Sequence, residues 1–329
     1  MAELSIYKLH FTTPLHISNS RSDYGVSLKT IDSDTMYAAI TSCLAKLGVD
    51  IPSGGDLGFT ISSLFPYYQK DKDATPVYFF PRPLQSKLSN IENADNRKEI
   101  KKIKYIDSNY FSTILTGEDF KDFSEKDIKG TYLYKGEIDS DFITSKVNQR
   151  VILEDRTMQS EAKPYYVERI SFKDYSGLYF IVQGDTSLLD KVLPLLALEG
   201  IGTDRNIGNG FFEFSKDKIS LNIPKKTSYC VCLSMFFPES KEQLENLMNK
   251  DDEKIAYEIR RRGGWITTYP YLSLRKNYIY GFSCGSVFSK ETCGLEALGK
   301  IVDLRPQWND ENLSHIFRCG RSLILPINV

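Results

Sequence analysis

Residues 200–211 read Gly-Ile-Gly-Thr-Asp-Arg-Asn-Ile-Gly-Asn-Gly-Phe, the segment of this chain best equipped for chemistry. Four glycines, Gly200, Gly202, Gly208 and Gly210, fall within eleven residues. Lacking Cβ atoms, they let backbone N–H groups approach an oxygen-rich ligand closely. Arg205 adds a fixed charge with a planar fork suited to a phosphate or a guanine edge. Asn206 and Asn209 tolerate left-handed backbone and can read polar edges. Thr203 and Phe211 complete the segment.

Two familiar glycine-rich devices do not fit. A dinucleotide fingerprint needs a third glycine where this chain has Arg205. It also runs from strand to helix, whereas here a helix pattern enters the loop and a strand pattern leaves it. A P-loop requires a Gly-Lys-Ser or Gly-Lys-Thr that does not follow. Taken alone, the loop can equally be a long turn with structural duties only.

Other candidates are sparse. Histidines occur only at positions 10, 16 and 315, and the six cysteines form no C-x-x-C pair, so no zinc site is expected. His16, beside the first strand, is the one candidate general acid or base. Positive charge clusters at 97–104 and at Arg260, Arg261 and Arg262, followed by Gly263-Gly264-Trp265. The latter either borders a ligand or is a charged hairpin whose Trp packs on the core. Net charge is nevertheless near zero, with 42 Lys and Arg against 43 Asp and Glu. That excludes a generic polyelectrolyte binder but not a local basic groove. Neither a signal peptide nor an apolar run of ~20 residues is present, so a cytoplasmic protein without membrane contact is expected.

The elements that position these residues are α+β. An opening strand spans 3–17 with a bend at Pro14, and a polar loop follows. A helix capped by Ser33 or Asp34 carries Met36, Tyr37, Ile40, Cys43, Leu44 and Leu47 at a 3.6-residue period, with Gly48 ending it. Residues 50–146 read as a long insertion, with a helix or turn near Leu64-Phe65 and a strand at 77–80. Strands at 147–154 and 165–172 flank a polar connection, and a third covers 178–182. A helix then starts at Thr186 or Ser187, burying Leu188, Leu189, Val192, Leu196 and Leu198, with a kink or restart at Pro194. After the glycine loop comes a strand at 211–214. A linker at 224–227 opens a second unit, with strands near 229–237, 257–268, 277–289, 300–305 and 322–327 and a helix at 240–248.

Helix, then Gly-x-Gly-x-x-Arg-x-x-Gly-x-Gly-Phe, then strand resembles the signature loop of the RAMP superfamily of CRISPR-associated RNA-binding proteins. Within it the chain looks like the fourth-subunit family of the type III-A Csm effector complex. Pro14-Leu15-His16-Ile17-Ser18 with Ile31-Asp32-Ser33-Asp34-Thr35 resembles that family's first strand and helix start. Phe80-Pro81-Arg82-Pro83-Leu84 resembles its P-x-P-L strand end, Arg150 to Arg156 with Tyr165 to Glu168 the strands either side of its thumb, and Phe282 to Phe288 and Gly320 to Ile327 its C-terminal motifs. Thr203 departs from the pattern, standing where a glycine is more usual.

The resemblance implies two ferredoxin-like (RRM-like) domains. They would be residues 1–224, with the insertion 50–146 and a β-hairpin thumb at 155–164, and residues 225–329. It implies a non-catalytic subunit without a cofactor that holds the repeat-derived 5′ handle of the CRISPR RNA (crRNA). That subunit would link the large polymerase-cyclase-like subunit to the backbone RAMP filament. RNA contacts are then expected from His16, Ser18, Asn19, Ser20 and Arg21, since the first strand is central in such a sheet. The loop would add Gly200, Gly202, Thr203, Arg205, Asn206, Gly208, Asn209, Gly210 and Phe211. Thumb contacts would come from Arg156, Met158, Gln159 and Lys163. The alternatives are a crRNA-processing endoribonuclease of the same superfamily using His16, the equivalent subunit of a type III-B complex, and a nucleotide-dependent enzyme using the loop.

Overall fold

Strand β1 (Ala2–Phe11) is apolar on both faces: Tyr7, Leu9 and Phe11 enter one core, Leu4 and Ile6 another. A strand buried on both sides belongs in the middle of a sheet. It lies between β10 (Gly177–Gly184) and β11 (Phe212–Leu221), antiparallel to both. β10 repeats the pattern, sending Leu178, Phe180 and Val182 to the first core and Tyr179 and Ile181 to the second. The computed structural model describes residues 1–18, 24–85, 88, 96–120, 123–139, 141–152, 163–248, 252–307 and 310–329.

The sheet runs in the order β11-β1-β10-β3-β4-β5-β7-β6. Here β3 is Phe65–Tyr68, β4 Val77–Pro81, β5 Tyr105–Asp107, β6 Ile128–Lys129 and β7 Tyr132–Leu133, while β2 (Phe59–Ile61) also pairs with β10. Much of the segment read as an insertion is therefore woven into the sheet. Leu64 and Phe65, expected as a helix or turn, lead into β3, because both are fully buried and their neighbours pair with β10. The basic run forms α2 (Arg97–Lys102), whose charges face solvent over buried Ile100. With Ile103, Ile106 and α3 (Ser108–Thr116), Ile100 joins the second core.

Helices α1 (Ser33–Lys46) and α4 (Ser187–Glu199) cover the first core with Met36, Tyr37, Ile40, Cys43 and Leu44, and with Leu189, Val192, Leu193 and Leu196. Gly48, at φ +69°, follows the end of α1. The N-cap position is Asp32, not Ser33 or Asp34, and its carboxylate does not cap the helix. Pro194 neither ends nor restarts α4, since it sits on the solvent side where the missing hydrogen bond leaves a carbonyl facing water. Leu198 points outward, 76% exposed.

The second unit centres on β12 (Thr227–Cys232), flanked by β15 (Val287–Cys293) and β19 (Ser322–Pro326), with β16 (Glu296–Leu298) outside β19. α5 (Lys241–Leu247) is capped by Ser240, whose hydroxyl accepts the Gln243 N–H. Two ribbons complete it: β13 (Ile259–Arg262) with β14 (Ile279–Phe282), and β17 (Ile301–Asp303) with β18 (Phe317–Cys319). The expected strand at 277–289 thus divides at the turn preceding Val287. Back in the first unit, β8 (Ile143–Ile152) and β9 (Lys163–Phe172) form a separate ten-residue-per-strand hairpin. Among the described residues no helix is long and apolar enough to cross a membrane.

The two units share the second core, in which Leu4, Ile6, Tyr179 and Ile181 meet Val231, Leu233, Val287, Leu323 and Leu325. Backbone bonds stitch the seam: Ser63 donates to the Leu233 carbonyl at 2.8 Å, and Met235 donates to Ser33 Oγ at 2.9 Å. An ion cluster closes its rim. Arg262 donates from Nε and Nη2 to the two Asp34 oxygens at 2.7 and 2.8 Å and from Nη1 to Asp32 at 3.1 Å, and Arg318 Nη1 reaches Asp34 at 3.1 Å. Burial alone would raise the Asp34 carboxyl, but Arg262 and then Arg318 hold it below its ordinary value. Asp32 is raised, its burial outweighing Arg262.

Asp34→Ala, which strands Arg262 and Arg318 beside a lone Asp32, is expected to cost about 3–5 kcal/mol in denaturant unfolding. Nearby Lys276 is brought down from 10.5 to about 8 by burial and by Arg318. Its charged form is therefore disfavoured in the folded chain. The unfolded chain binds the extra proton between pH 8 and 10.5, so folding strengthens as pH rises through that window. Lys276→Met should stabilise the protein below pH 8, with a benefit that fades toward pH 10.5, as followed by thermal melts across pH.

Candidate nucleic-acid interface

The glycine loop joins α4 to β11, the helix-to-strand order its sequence required. Gly200 caps α4 at φ +75°, donating to the Leu196 carbonyl. The loop then folds back on itself and against the stretch after β1. Ile201 donates to the Gly210 carbonyl at 3.0 Å, Thr203 to the His16 carbonyl at 3.0 Å, and Gly210 to the Pro14 carbonyl at 2.9 Å. Phe211 donates to Thr13 Oγ1 at 2.8 Å.

Two of the glycines are there for this backbone approach. A Cβ on Gly202 would lie 2.4 Å from the His16 carbonyl oxygen, and one on Gly210 would lie 1.9 Å from that of Ile201. Gly208, at φ +85°, faces open space instead. Left-handed backbone falls on the glycines and on Asp204, at φ +65°, rather than on Asn206 or Asn209. Asp204 is stabilised there because its carboxylate accepts from Arg150 at 2.8 Å and lies 3.5 Å from Arg169, both on the β8–β9 hairpin. The Asn209 side chain turns inward to the Asp204 carbonyl at 3.2 Å and is 5% exposed.

These restraints leave one short turn, Arg205–Ile207, projecting into solvent, with Arg205 and Asn206 exposed and Thr203 and Gly208 half-buried beside it. Gly200, Asn209 and Gly210 are buried under it, and Phe211 is half-buried at its exit. His16, expected among the ligand-facing residues, is 1% exposed and offers the loop its carbonyl rather than its ring. Its Nδ1 lies 2.6 Å from the Glu168 carbonyl, and the ring stacks near Tyr24 at 6.0 Å. Ser18 is half-buried, while Asn19, Ser20 and Arg21 lie outside the described residues.

The hairpin is the third wall. Leu15 and Ile170 exchange backbone bonds at 2.8 Å, fixing its base to the segment that carries His16. Glu168 adds a second tie, its Oε2 accepting the Ser27 N–H at 2.6 Å. Its outer face exposes Val147, Val151 and Tyr166, and Lys163 stands exposed at its far end. Arg156, Met158 and Gln159 fall outside the described residues. The pair Arg150 and Arg169 went unnoticed in the sequence as partners of the loop. Their signal is weak, since only the cross-strand register brings them to one side of the hairpin.

Known proteins place this arrangement. A model of the CRISPR Csm4 C-terminal domain matches residues 225–327. The chain is 24% identical over 287 residues to a CRISPR system Cms protein Csm4 of Thermococcus onnurineus, covering 81% of this chain and 84% of that one. It is 25% identical to its namesake in Mycobacterium tuberculosis, covering 82% and 84%. Along most of its length the chain is similar to Csm4 proteins. Its fold is that of a chain in a crystal structure of a Csm3-Csm4 subcomplex in the type III-A CRISPR-Cas interference complex, with a TM-score of 0.60, 19% identity and full coverage of both chains. A Csm1-Csm4 cassette crystallised with cA4 gives a TM-score of 0.59 at 18% identity, covering 100% and 99%.

Two glycine substitutions should behave differently. Gly208→Ala meets only backbone strain and is expected to cost about 1–2 kcal/mol. Gly210→Ala must also displace the Ile201 carbonyl, so urea unfolding should show a larger loss.

Proposed function

We propose that this chain is a non-catalytic subunit of a type III-A CRISPR effector complex that holds the 5′ handle of the crRNA. The observation that carries this reading is the Arg205–Ile207 turn, the one stretch of the glycine loop left projecting once the first strand and the hairpin have immobilised the rest. Arg205 and Asn206 there offer a cationic fork and an amide, the groups that read single-stranded RNA by hydrogen bonding. Thr203, Gly208 and the half-buried Ser18 flank them. Asn19, Ser20 and Arg21, which follow Ser18 in the sequence, are part of the proposal and lie outside the described residues.

The structural reading follows the same lines. In the first unit the order β11-β1-β10-β3, with α1 and α4 on one face, supports a ferredoxin-like reading. The β8–β9 hairpin supports the proposed thumb at 155–164, of which Lys163 and Pro164 are described and open β9. A boundary near 224–225 agrees with the matched C-terminal family domain. The second unit keeps a three-stranded centre, but its return from β15 to β19 runs through β16–β18 where a ferredoxin-like unit would place a helix. The relatives crystallised with Csm1 and with Csm3 support one neighbour on each side, a large subunit and a backbone subunit.

The buried ring of His16 supports a binding role over guide processing. A general acid or base must reach the proton it transfers, and Nδ1 is engaged with the Glu168 carbonyl while Nε2 is enclosed.

Arg205→Ala should weaken handle binding by about 1–3 kcal/mol if its fork reads a base, as measured by filter binding. Unchanged affinity removes Arg205 from the site. Complexes purified with His16→Ala should carry guide RNA of normal length. Loss of guide maturation on that change would overturn the non-catalytic reading.

A further inference from the structure

Residues 257–280 carry Arg260, Arg261, Arg262, Arg275 and Lys276 against one acid, Glu258, in a chain whose charges otherwise balance. The same 24 residues hold five Tyr and one Trp. Pairing of β13 with β14 sorts these side chains by face. Arg260 and Arg262 turn toward the first unit and are neutralised by Asp32 and Asp34. Arg261 alternates to the opposite face, directly across from Tyr280.

On that face the Arg261 guanidinium lies 4.2 Å from the centre of the Tyr278 ring, and Tyr278 meets Tyr280 edge to face at 5.9 Å. Tyr278 and Tyr280 are 59% and 58% exposed, so large aromatic surfaces stand in solvent beside an arginine whose partner is a ring rather than a carboxylate. Arg275 stacks on Trp265 in the same way at 4.8 Å. An apolar protein partner would not call for this excess of cations. Exposed π faces interleaved with arginines suit a strand that offers bases and phosphates together.

The ribbon also borders a cavity that reaches the stretch after β1. This cavity of about 410 Å³ is lined by Leu28, Glu258 and the three consecutive arginines. Leu28 donates to the Ile17 carbonyl at 2.9 Å, and the carbonyl of the preceding residue, His16, receives Thr203 of the glycine loop.

We propose that the exposed face of the β13–β14 ribbon is a second platform for single-stranded RNA, on which bases beyond the glycine loop stack against Tyr278 and Tyr280 while Arg261 meets the backbone between them. This rests on the reading of the loop as an RNA site.

The test uses the full chain and fluorescein-labelled oligoribonucleotides of the handle sequence, about 6 and about 16 nucleotides long, spanning the range of single-strand site sizes. Wild-type protein should bind the longer RNA more tightly. Tyr278→Ala with Tyr280→Ala should weaken the longer RNA by about tenfold or more and leave the shorter unchanged. Tyr278→Phe with Tyr280→Phe, which keeps the rings, should retain wild-type affinity and excludes a folding defect. Equal affinity of the alanine variant and wild type for the longer RNA overturns the proposal. So does an alanine variant that keeps RNA affinity but no longer co-purifies with its partner subunits, which would make the face a protein-docking surface. If Arg205→Ala changes neither RNA while the tyrosine variant loses the longer one, the loop reading fails and the platform stands. Wild-type protein that binds neither RNA overturns both.

Discussion

The close passage of two backbones governs this molecule. Gly202 and Gly210 let the glycine loop lie against residues 14–16 and against its own start, at distances no Cβ could tolerate. The Thr203 and Gly210 N–H groups are thereby committed to the His16 and Pro14 carbonyls. The loop is consequently rigid where its composition suggested freedom, and only its Arg205–Ile207 turn is left outside. Glycine content here serves the fold first, and the exposed turn is what the fold leaves over.

The same contact organises the hairpin. Leu15, one residue past Pro14, bridges to Ile170, and Asp204, within the loop, takes Arg150 and Arg169. Loop, first strand and hairpin therefore form one braced corner. Two arginines that would otherwise add to a basic surface share the single carboxylate of Asp204, and Arg205 is the loop's outward charge. On the proposed function, a chain of nearly zero net charge would recognise RNA through a few placed groups rather than through bulk charge.

Burial of β1 and β10 on both faces imposes the second constraint. Their second face needs a cover, and the sheet of the C-terminal unit supplies it through the shared core. The forked contact of Arg262 with Asp34 fixes the angle of the β13–β14 ribbon against the start of α1. The ribbon is thus held in a set relation to the first unit, with a cavity between its arginines and Leu28.

Local chemistry was legible without coordinates. The period of Met36, Tyr37, Ile40, Cys43 and Leu44 marked α1, Ser240 marked the start of α5, and the helix-loop-strand order around residues 200–211 set this loop apart from nucleotide folds. These signals depend on near neighbours, which the chain order displays directly. What the sequence left undetermined depends on distant residues. Phe65 belongs to a strand because β10, more than a hundred residues later, pairs with it, and Leu64 bridges to Ile31. His16 is inside because Glu168 closes over it, and Asp32 and Asp34 face arginines more than two hundred residues away instead of capping their own helix. Hydrogen bonds and ion pairs between remote segments form only when packing brings them together, and no periodicity in the chain records which partner packing will choose.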